Sequence, residues 1–352
     1  MWLTTPRSWY ARYRKPWATT RVLLTPLAWV WAWVTAQRFR RAQPVDVGVP
    51  VISVGNLTIG GSGKTPIVRA LAALLQQMGH QPHVVMRGYG GRMRGPLRVD
   101  PIIHTAQDVG DEAVMTGNPA PIWVSRDRPA GALAAIQQGA GLIILDDGHQ
   151  NPSLEKTLTL IVVDGDTRDG DWPFGDGSVF PSGPMREPFD AGLARADVVI
   201  LLLPADLDAP DPDLVALFGT TPVFVSHLLP VAPPPPGRQL AFAGIGKPWK
   251  MERALVAAGC DLADFAAFPD HGRYSLQILN ALAERAKALD ASLLTTDKDW
   301  ARLSPTWRLR VTPWSVRAEF DDQTAMRSLL RRLIGERPDA TTQGDTARNP
   351  MP

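Results

Sequence analysis

Thr58-Ile59-Gly60-Gly61-Ser62-Gly63-Lys64-Thr65 lies between an apolar run at residues 49–54 and an amphipathic stretch at 67–75. An apolar strand that feeds a glycine-rich turn and then a helix is the arrangement of a phosphate-binding loop. This part of the chain is therefore constrained to a strand, loop and helix built around a nucleoside triphosphate. The turn aims successive backbone N–H groups at phosphate oxygens, Lys64 adds a point charge, and the Thr65 hydroxyl can ligate Mg²⁺. Pro66 suits the first helical turn, where its missing N–H costs nothing, and phosphates there meet the positive end of the helix. The strict pattern has Gly five residues before Gly63, where this chain has Thr58, so the loop is a variant.

Beyond the loop, short apolar runs at 83–86, 122–124, 142–145, 160–163 and 198–203 alternate with helical patterns. Their continuous rather than alternating apolarity predicts strands buried on both faces. The expected fold class is α/β, a P-loop NTPase-like doubly wound parallel sheet with ligands at the carboxyl ends of its strands. Leu-Pro-Val-Ala-Pro-Pro-Pro-Pro-Gly at 229–237 cannot continue a helix or a central strand and is read as a boundary. A phosphate-loop domain at 46–230 is thus followed by a second, smaller α/β domain at 231–335, with strands at 239–243 and 292–295 and a helix at 276–289. Residues 336–352 lack apolar content and are expected to form a disordered tail.

The formal net charge is only +2, but it is unevenly spread: residues 1–45 carry eight Lys or Arg, no acid, and six of the twelve tryptophans. That asymmetry points to a membrane surface rather than to nucleic acid. The apolar stretch at 22–37 reaches only ~24 Å as a helix, short of a hydrocarbon core of roughly 30 Å. Residues 1–45 are read as a basic, aromatic, membrane-associated helix, with three placements open: interfacial, a short or tilted span, or packed on the rest of the protein. A cleaved signal peptide fits poorly, because Arg38, Arg40 and Arg41 stand where small residues should be. The single cysteine, Cys260, excludes a disulfide framework and a multi-cysteine metal site.

The apolar run at 142–145 ends in Asp146 and Asp147, a strand end that can set a carboxylate beside the phosphate loop to hold Mg²⁺. Asp111 and Glu112 follow the glycine-rich basic stretch Arg87-Gly88-Tyr89-Gly90-Gly91-Arg92; acids and arginines on loops at strand ends are candidates for a base and for anion recognition. Arg186 and Glu187 sit on the rigid turn at 182–188, and His271 on a similar turn at 268–272. The aspartates at 164, 166, 169, 171 and 176 lack the spacing of a calcium loop and read as a solvated loop. Thr296-Asp297-Lys298-Asp299 has the wrong order for a guanine-reading element.

Taken together these segments resemble the tetraacyldisaccharide 4′-kinase family of Gram-negative bacteria. The resemblance is carried by the N-terminal helix, by 54–58 leading into the variant loop, and by Arg87-Gly88-Tyr89-Gly90, Gly110-Asp111-Glu112, Ser125-Arg126-Asp127-Arg128, Asp146-Asp147-Gly148, 183–188, 242–248, 268–271 and 295–299. It implies an ATP-dependent, Mg²⁺-requiring kinase, with 46–230 as its P-loop domain. The acceptor would be the 4′-hydroxyl of a tetraacylated glucosamine disaccharide 1-phosphate at the cytoplasmic face of the inner membrane, with no nucleic acid and no obligate protein partner. By that resemblance Thr58, Ile59, Gly60, Gly61, Ser62, Gly63, Lys64 and Thr65 bind ATP, and Thr65, Asp146 and Asp147 hold the metal. Asp111 accepts the sugar proton with support from His271, Lys64 neutralises phosphate, and Arg87, Tyr89, Arg128, Arg186 and Glu187 meet the lipid substrate. The chain departs from the family after Asp147-Gly148, where His149, Gln150 and Asn151 stand in an altered order, so the family histidine's role is carried onto none of them. Two other classes, a membrane-bound nucleotide switch and a non-catalytic lipid-binding module, would show no stoichiometric transfer to lipid. Because the nucleotide motif begins only after Val54, loss of residues 1–40 is expected to impair lipid use far more than ATP use.

Overall fold

The computed structural model describes residues 7–12, 19–115, 117–270 and 272–335, so His271 and the expected tail at 336–352 lie outside the described residues. Helix α1 (Thr19–Arg41) precedes β1 (Val51–Gly55) and α2 (Lys64–Gln77). The chain continues through β2 (Pro82–Met86), β3 (Leu97–Arg98), α3 (Ala106–Val109), β4 (Ile122–Val124), α4 (Arg128–Gln137), β5 (Leu142–Asp146) and β6 (Leu158–Asp164). Next come α5 (Phe189–Leu193), β7 (Val198–Pro204), α6 (Pro212–Ala216), β8 (Val223–Pro230), β9 (Gln239–Ala243), α7 (Pro248–Ala257) and β10 (Leu262–Ala267). The last elements are α8 (Leu276–Ala288), β11 (Ser292–Thr295), α9 (Asp297–Arg302), α10 (Pro305–Arg308), β12 (Val311–Pro313), β13 (Val316–Phe320) and α11 (Gln323–Ile334).

Nine strands form one sheet in the order β13-β8-β7-β6-β1-β5-β2-β4-β3, parallel except at its antiparallel edges β13 and β3. The parallel strands β1, β2 and β4 to β7 are buried along nearly their whole length because helices cover both faces. α2 buries Ile67, Val68, Leu71, Ala72, Leu74 and Leu75 on one face, while α4 covers the other through Ala132 and Ala135. β1 lies at the centre, between β5 and β6, with Val54 opposite Asp146. This register brings the phosphate loop and the acidic end of β5 out of the sheet side by side.

A second, all-parallel sheet has the order β10-β9-β11-β12. It closes at Pro313, and the chain then returns to the first sheet: β13 pairs antiparallel with β8, and α11 buries Met326 and Leu330 against the same core as α2. The boundaries read from sequence, which kept 231–335 together, therefore differ from the sheet pairing over β13 and α11. β13 is an edge strand whose inward residues alternate with exposed ones, a weaker sequence signal than a continuous apolar run.

No helix among the described residues is long and apolar enough to cross a membrane. α1 packs partly on the body: Trp31 donates its ring N–H to the Arg186 carbonyl (2.8 Å) and meets Phe180 edge-on, and Arg195 stacks on Phe39. Ala28 is buried, whereas much of the rest of the helix faces outward, with Leu23, Trp29 and Trp33 exposed by 76%, 71% and 61%.

Candidate active site

The loop between β1 and α2 is fixed from outside by residues far away in sequence. Thr58 forms an antiparallel bridge with Met185, its carbonyl accepts from Arg186 Nε (2.9 Å) and Asn56 Nδ2 (2.8 Å), and Ile59 N–H donates to the Pro184 carbonyl (2.7 Å). Thr58 is thus held in bridge pairing, where a side chain costs nothing, which accounts for Thr at the position the strict motif gives to Gly. Gly63, at φ 77°, caps α2, whose first residues are Lys64 and Thr65.

The two acids at the end of β5 differ. Asp146 is buried and neither carboxylate oxygen has a hydrogen-bond partner among the described residues. Burial, reinforced by Glu112, pushes its carboxyl well above the usual range. Asp147, at φ 55°, is 42% exposed and pairs with Arg186 (2.7 Å) and Lys64 (3.5 Å). Partial burial opposes its charge, but Lys64 and Arg186 hold it well below the ordinary carboxylate value. No cluster of three or more His, Cys, Asp or Glu suited to a metal occurs among the described residues. The orphaned Asp146 carboxylate, on the strand next to the one that feeds the phosphate loop, nevertheless fits a hard cation that takes its other ligands from phosphate and water.

Asp111 projects from the turn after α3. The stretch carrying Arg87 and Tyr89 packs directly on that turn, so closely that a Cβ on Gly110 would lie 2.6 Å from the Tyr89 carbonyl oxygen; only glycine allows the approach. Arg87 and Tyr89 themselves are exposed. Asp111 is buried and receives Arg302 of α9 on one oxygen (Nε 2.8 Å, a second nitrogen 2.6 Å) and the Glu112 N–H on the other (3.0 Å). Lys298, one turn earlier on α9, pairs with Glu112 (3.3 Å) and Asp270 (3.5 Å). Burial opposes the Lys298 charge, but these carboxylates, Glu112 first, leave its ammonium above the ordinary value. Arg302 also reaches the Gly244 carbonyl and Asp299, both 2.9 Å away, so the second sheet presents a fixed guanidinium to the first.

The remaining residues singled out from sequence fall into two groups. Arg128, at the start of α4, lines an open cavity of about 900 Å³ with Trp33, Arg38, Arg41, Arg126 and Asn151. Burial lowers the Arg128 guanidinium to about 10 against the pull of Asp146 and Asp147. Glu187 is placed differently from the expectation that it meets substrate: it is 2% exposed, with its carboxylate taken by Arg195 and by Gln150 Nε2 (3.0 Å). Gln150 passes this on to Arg186 (3.1 Å), so Glu187 buttresses the arginine instead. His149 is buried against the Gly192 carbonyl (3.0 Å), and Asn151 caps Ser153.

The aspartate run after β6 is not the solvated loop its composition indicates. Asp164 pairs with Lys247 (2.7 Å) and Lys250 (2.6 Å), and Asp166 with Arg253 (2.9 Å), so the run docks α7 onto the first sheet. Arg302 escaped the sequence reading, and Lys298 and Lys247 entered it only within the segments 295–299 and 242–248, with no role given to either. The further signals were Lys298 and Arg302 at helical i, i+4 spacing and the Gly244-Ile245-Gly246-Lys247 turn after a strand.

The family model for tetraacyldisaccharide-1-P 4'-kinase matches residues 20–335. The chain belongs to that family. It is 59% identical to the tetraacyldisaccharide 4'-kinase of Phenylobacterium zucineum and 58% identical to that of Caulobacter vibrioides, in each case over 333 residues, 95% of this chain and 100% and 99% of the relative. The fold resembles a crystal structure of LpxK from Aquifex aeolicus in complex with ATP, at TM-score 0.68 and 23% identity over 89% of this chain and 99% of that one. Membership of the family makes the chain an enzyme, a kinase.

Proposed function

We propose that the protein transfers the γ-phosphate of ATP to the 4′-hydroxyl of a tetraacylated glucosamine disaccharide 1-phosphate, forming lipid IVA in lipid A biosynthesis at the cytoplasmic face of the inner membrane. The observation that carries the chemistry is the buried, unbonded Asp146 carboxylate, opposite Val54 on the strand that leads into the phosphate loop and within the field of Lys64. Phosphoryl transfer needs positioning and charge neutralisation more than covalent participation by the protein. Lys64 and the amides of residues 59–63 would hold the β- and γ-phosphates, with Arg186 and Asp147 fixing the lysine's surroundings. Thr65 and Asp146 would hold Mg²⁺, which supplies neutralisation of the phosphate oxygens. Asp111, oriented by Arg302, would take the proton of the sugar hydroxyl; the helping role given to His271 lies outside the described residues. The basic cavity lined by Arg126 and Arg128 beside α1 fits a phosphorylated sugar whose acyl chains leave along the exposed face of that helix. Names of the relatives and the ATP complex of the Aquifex protein support the same donor and acceptor.

Incubation of the purified protein with labelled ATP and extracted lipid precursor, followed by thin-layer separation, tests the proposal. Stoichiometric label in the lipid is expected, and Lys64→Ala should lower turnover by about 10²–10³ while leaving thermal stability intact. Hydrolysis of ATP without labelled lipid would point to a nucleotide switch instead.

A further inference from the structure

The segment ahead of α1 reaches into the nucleotide site. Tyr10 ends a four-residue 3₁₀ turn, is 1% exposed, and donates its hydroxyl to the Ile59 carbonyl of the phosphate loop at 2.9 Å. The face of its ring lies 4.2 Å from Lys247 Nζ, the lysine that pairs with Asp164. Just before that lysine, Gly246 presses on the phosphate loop so closely that a Cβ there would be 2.6 Å from Gly61 N. The segment is stitched down on its other side as well: Trp172 N–H donates to the Tyr10 carbonyl, Ala11 bridges Asp171, and Arg12 stacks on Trp172 at 4.1 Å while pairing with Asp213.

We propose that Tyr10 is a positioning residue for the nucleotide: its hydroxyl pins the Ile59 carbonyl outward while its ring seats Lys247 and the Gly246 turn against the loop. The inference rests on the assignment of this loop to ATP. Ile59 is then held at both ends, its N–H by Pro184 and its carbonyl by Tyr10, and the amides that follow keep one orientation toward phosphate. Nothing in the sequence of the loop requires such a support. It comes from residue 10, across 49 positions of chain.

Tyr10→Phe in the full-length protein isolates the hydroxyl, because the ring and its contact with Lys247 remain. Three quantities decide: amide hydrogen exchange of a peptide spanning 57–66 without ligand, the dissociation constant of a fluorescent ATP analogue with Mg²⁺, and the Michaelis constant for lipid. Faster exchange in that peptide, about tenfold weaker nucleotide binding, and a lipid constant and melting temperature little changed are expected. Unchanged exchange and affinity in Tyr10→Phe would overturn the proposal, as would an equal loss toward lipid, which would mark Tyr10 as a general structural residue. A protein lacking residues 1–12 should lose at least as much nucleotide affinity as Tyr10→Phe, and full affinity in that truncation would also overturn it. Failure of the wild-type protein to bind the analogue would sink the assignment of the loop itself, while unaltered exchange in Tyr10→Phe sinks only the role of Tyr10.

Discussion

Asp146 is buried with both carboxylate oxygens unbonded, whereas Asp147 next to it is part-exposed and tied to Lys64 and Arg186. Asp146 is the last residue of β5 and stays in the sheet, whereas Asp147 turns out of it at φ 55° and meets Lys64 and Arg186. An unpaired buried carboxylate costs free energy that a metal or a proton can relieve. Asp146→Asn should therefore lower Mg²⁺-dependent turnover by about 10² or more while leaving the melting temperature equal or higher, since it removes a destabilising charge. Asp147→Asn should act more weakly on the metal requirement, because what it loses is the pairing of Lys64 and Arg186. Mg²⁺ titrations of rate, with melting curves for each variant, separate the two; equal metal dependence in both would remove Asp146 as the ligand. Arg302→Gln tests the carboxylate across the cleft. Turnover should fall by about 10–100-fold with nucleotide affinity within about twofold, since the guanidinium orients Asp111 and not ATP. Arg302→Lys should recover part of the loss, the charge being retained and the fork lost.

Among the elements, β13 and α11 bring the chain back to the first sheet after the second is complete. His227 on β8 donates from Nδ1 to Asp321 Oδ1 (2.6 Å), just past β13, and from Nε2 to the Leu207 carbonyl (2.9 Å), so one imidazole ties three segments. Burial opposes its protonation most strongly, but the bonds to Asp321 and to the Leu207 carbonyl, together with the charges of Asp321 and Asp208, outweigh it and raise its pKa. A group with a raised folded-state value stabilises fully below its unfolded value, and that contribution is lost as pH rises through the folded one. The wild-type melting temperature should accordingly fall between pH 6 and pH 8 by more than that of His227→Gln, whose curve lacks this contribution. Parallel slopes for the two proteins would show that the Asp321 pair contributes nothing.

At the scale of the molecule, the proposed function and the proposed role of Tyr10 would give the N-terminal region two separable tasks. α1 exposes Trp29, Trp33 and Leu23, which suit a lipid interface, while the segment before it is bound into the nucleotide site through Tyr10. Replacing Trp29 and Trp33 by Ser should lower the fraction sedimenting with anionic vesicles and raise the lipid Michaelis constant about tenfold, with ATP little affected. An unchanged vesicle-bound fraction would show that α1 serves only as a packed element. Deletion of residues 1–40 removes Tyr10 together with α1 and should impair ATP use as well as lipid use, and comparison of the two Michaelis constants shows which loss is larger.

Local chemistry determined much of this protein from its sequence alone. Strand, glycine turn and helix around Lys64 are set by neighbours a few residues apart, and the continuous apolar runs at 142–145 and 198–203 announce a sheet covered on both faces. Even the acid pair after β5 was legible, because parallel packing beside β1 sends it to the same edge as the loop. Tertiary structure alone decided which charges meet. Arg302 finds Asp111 across 191 residues, and Lys247 finds Asp164 across 83. A charged residue reads as solvated until another element covers it, so the aspartates after β6 looked like an open loop and Glu187 like a substrate ligand. Ion pairs and caps of this kind leave no periodicity in the chain: their partners are selected by the docking of two sheets, and the free energy of each pair exists only once that docking has excluded water.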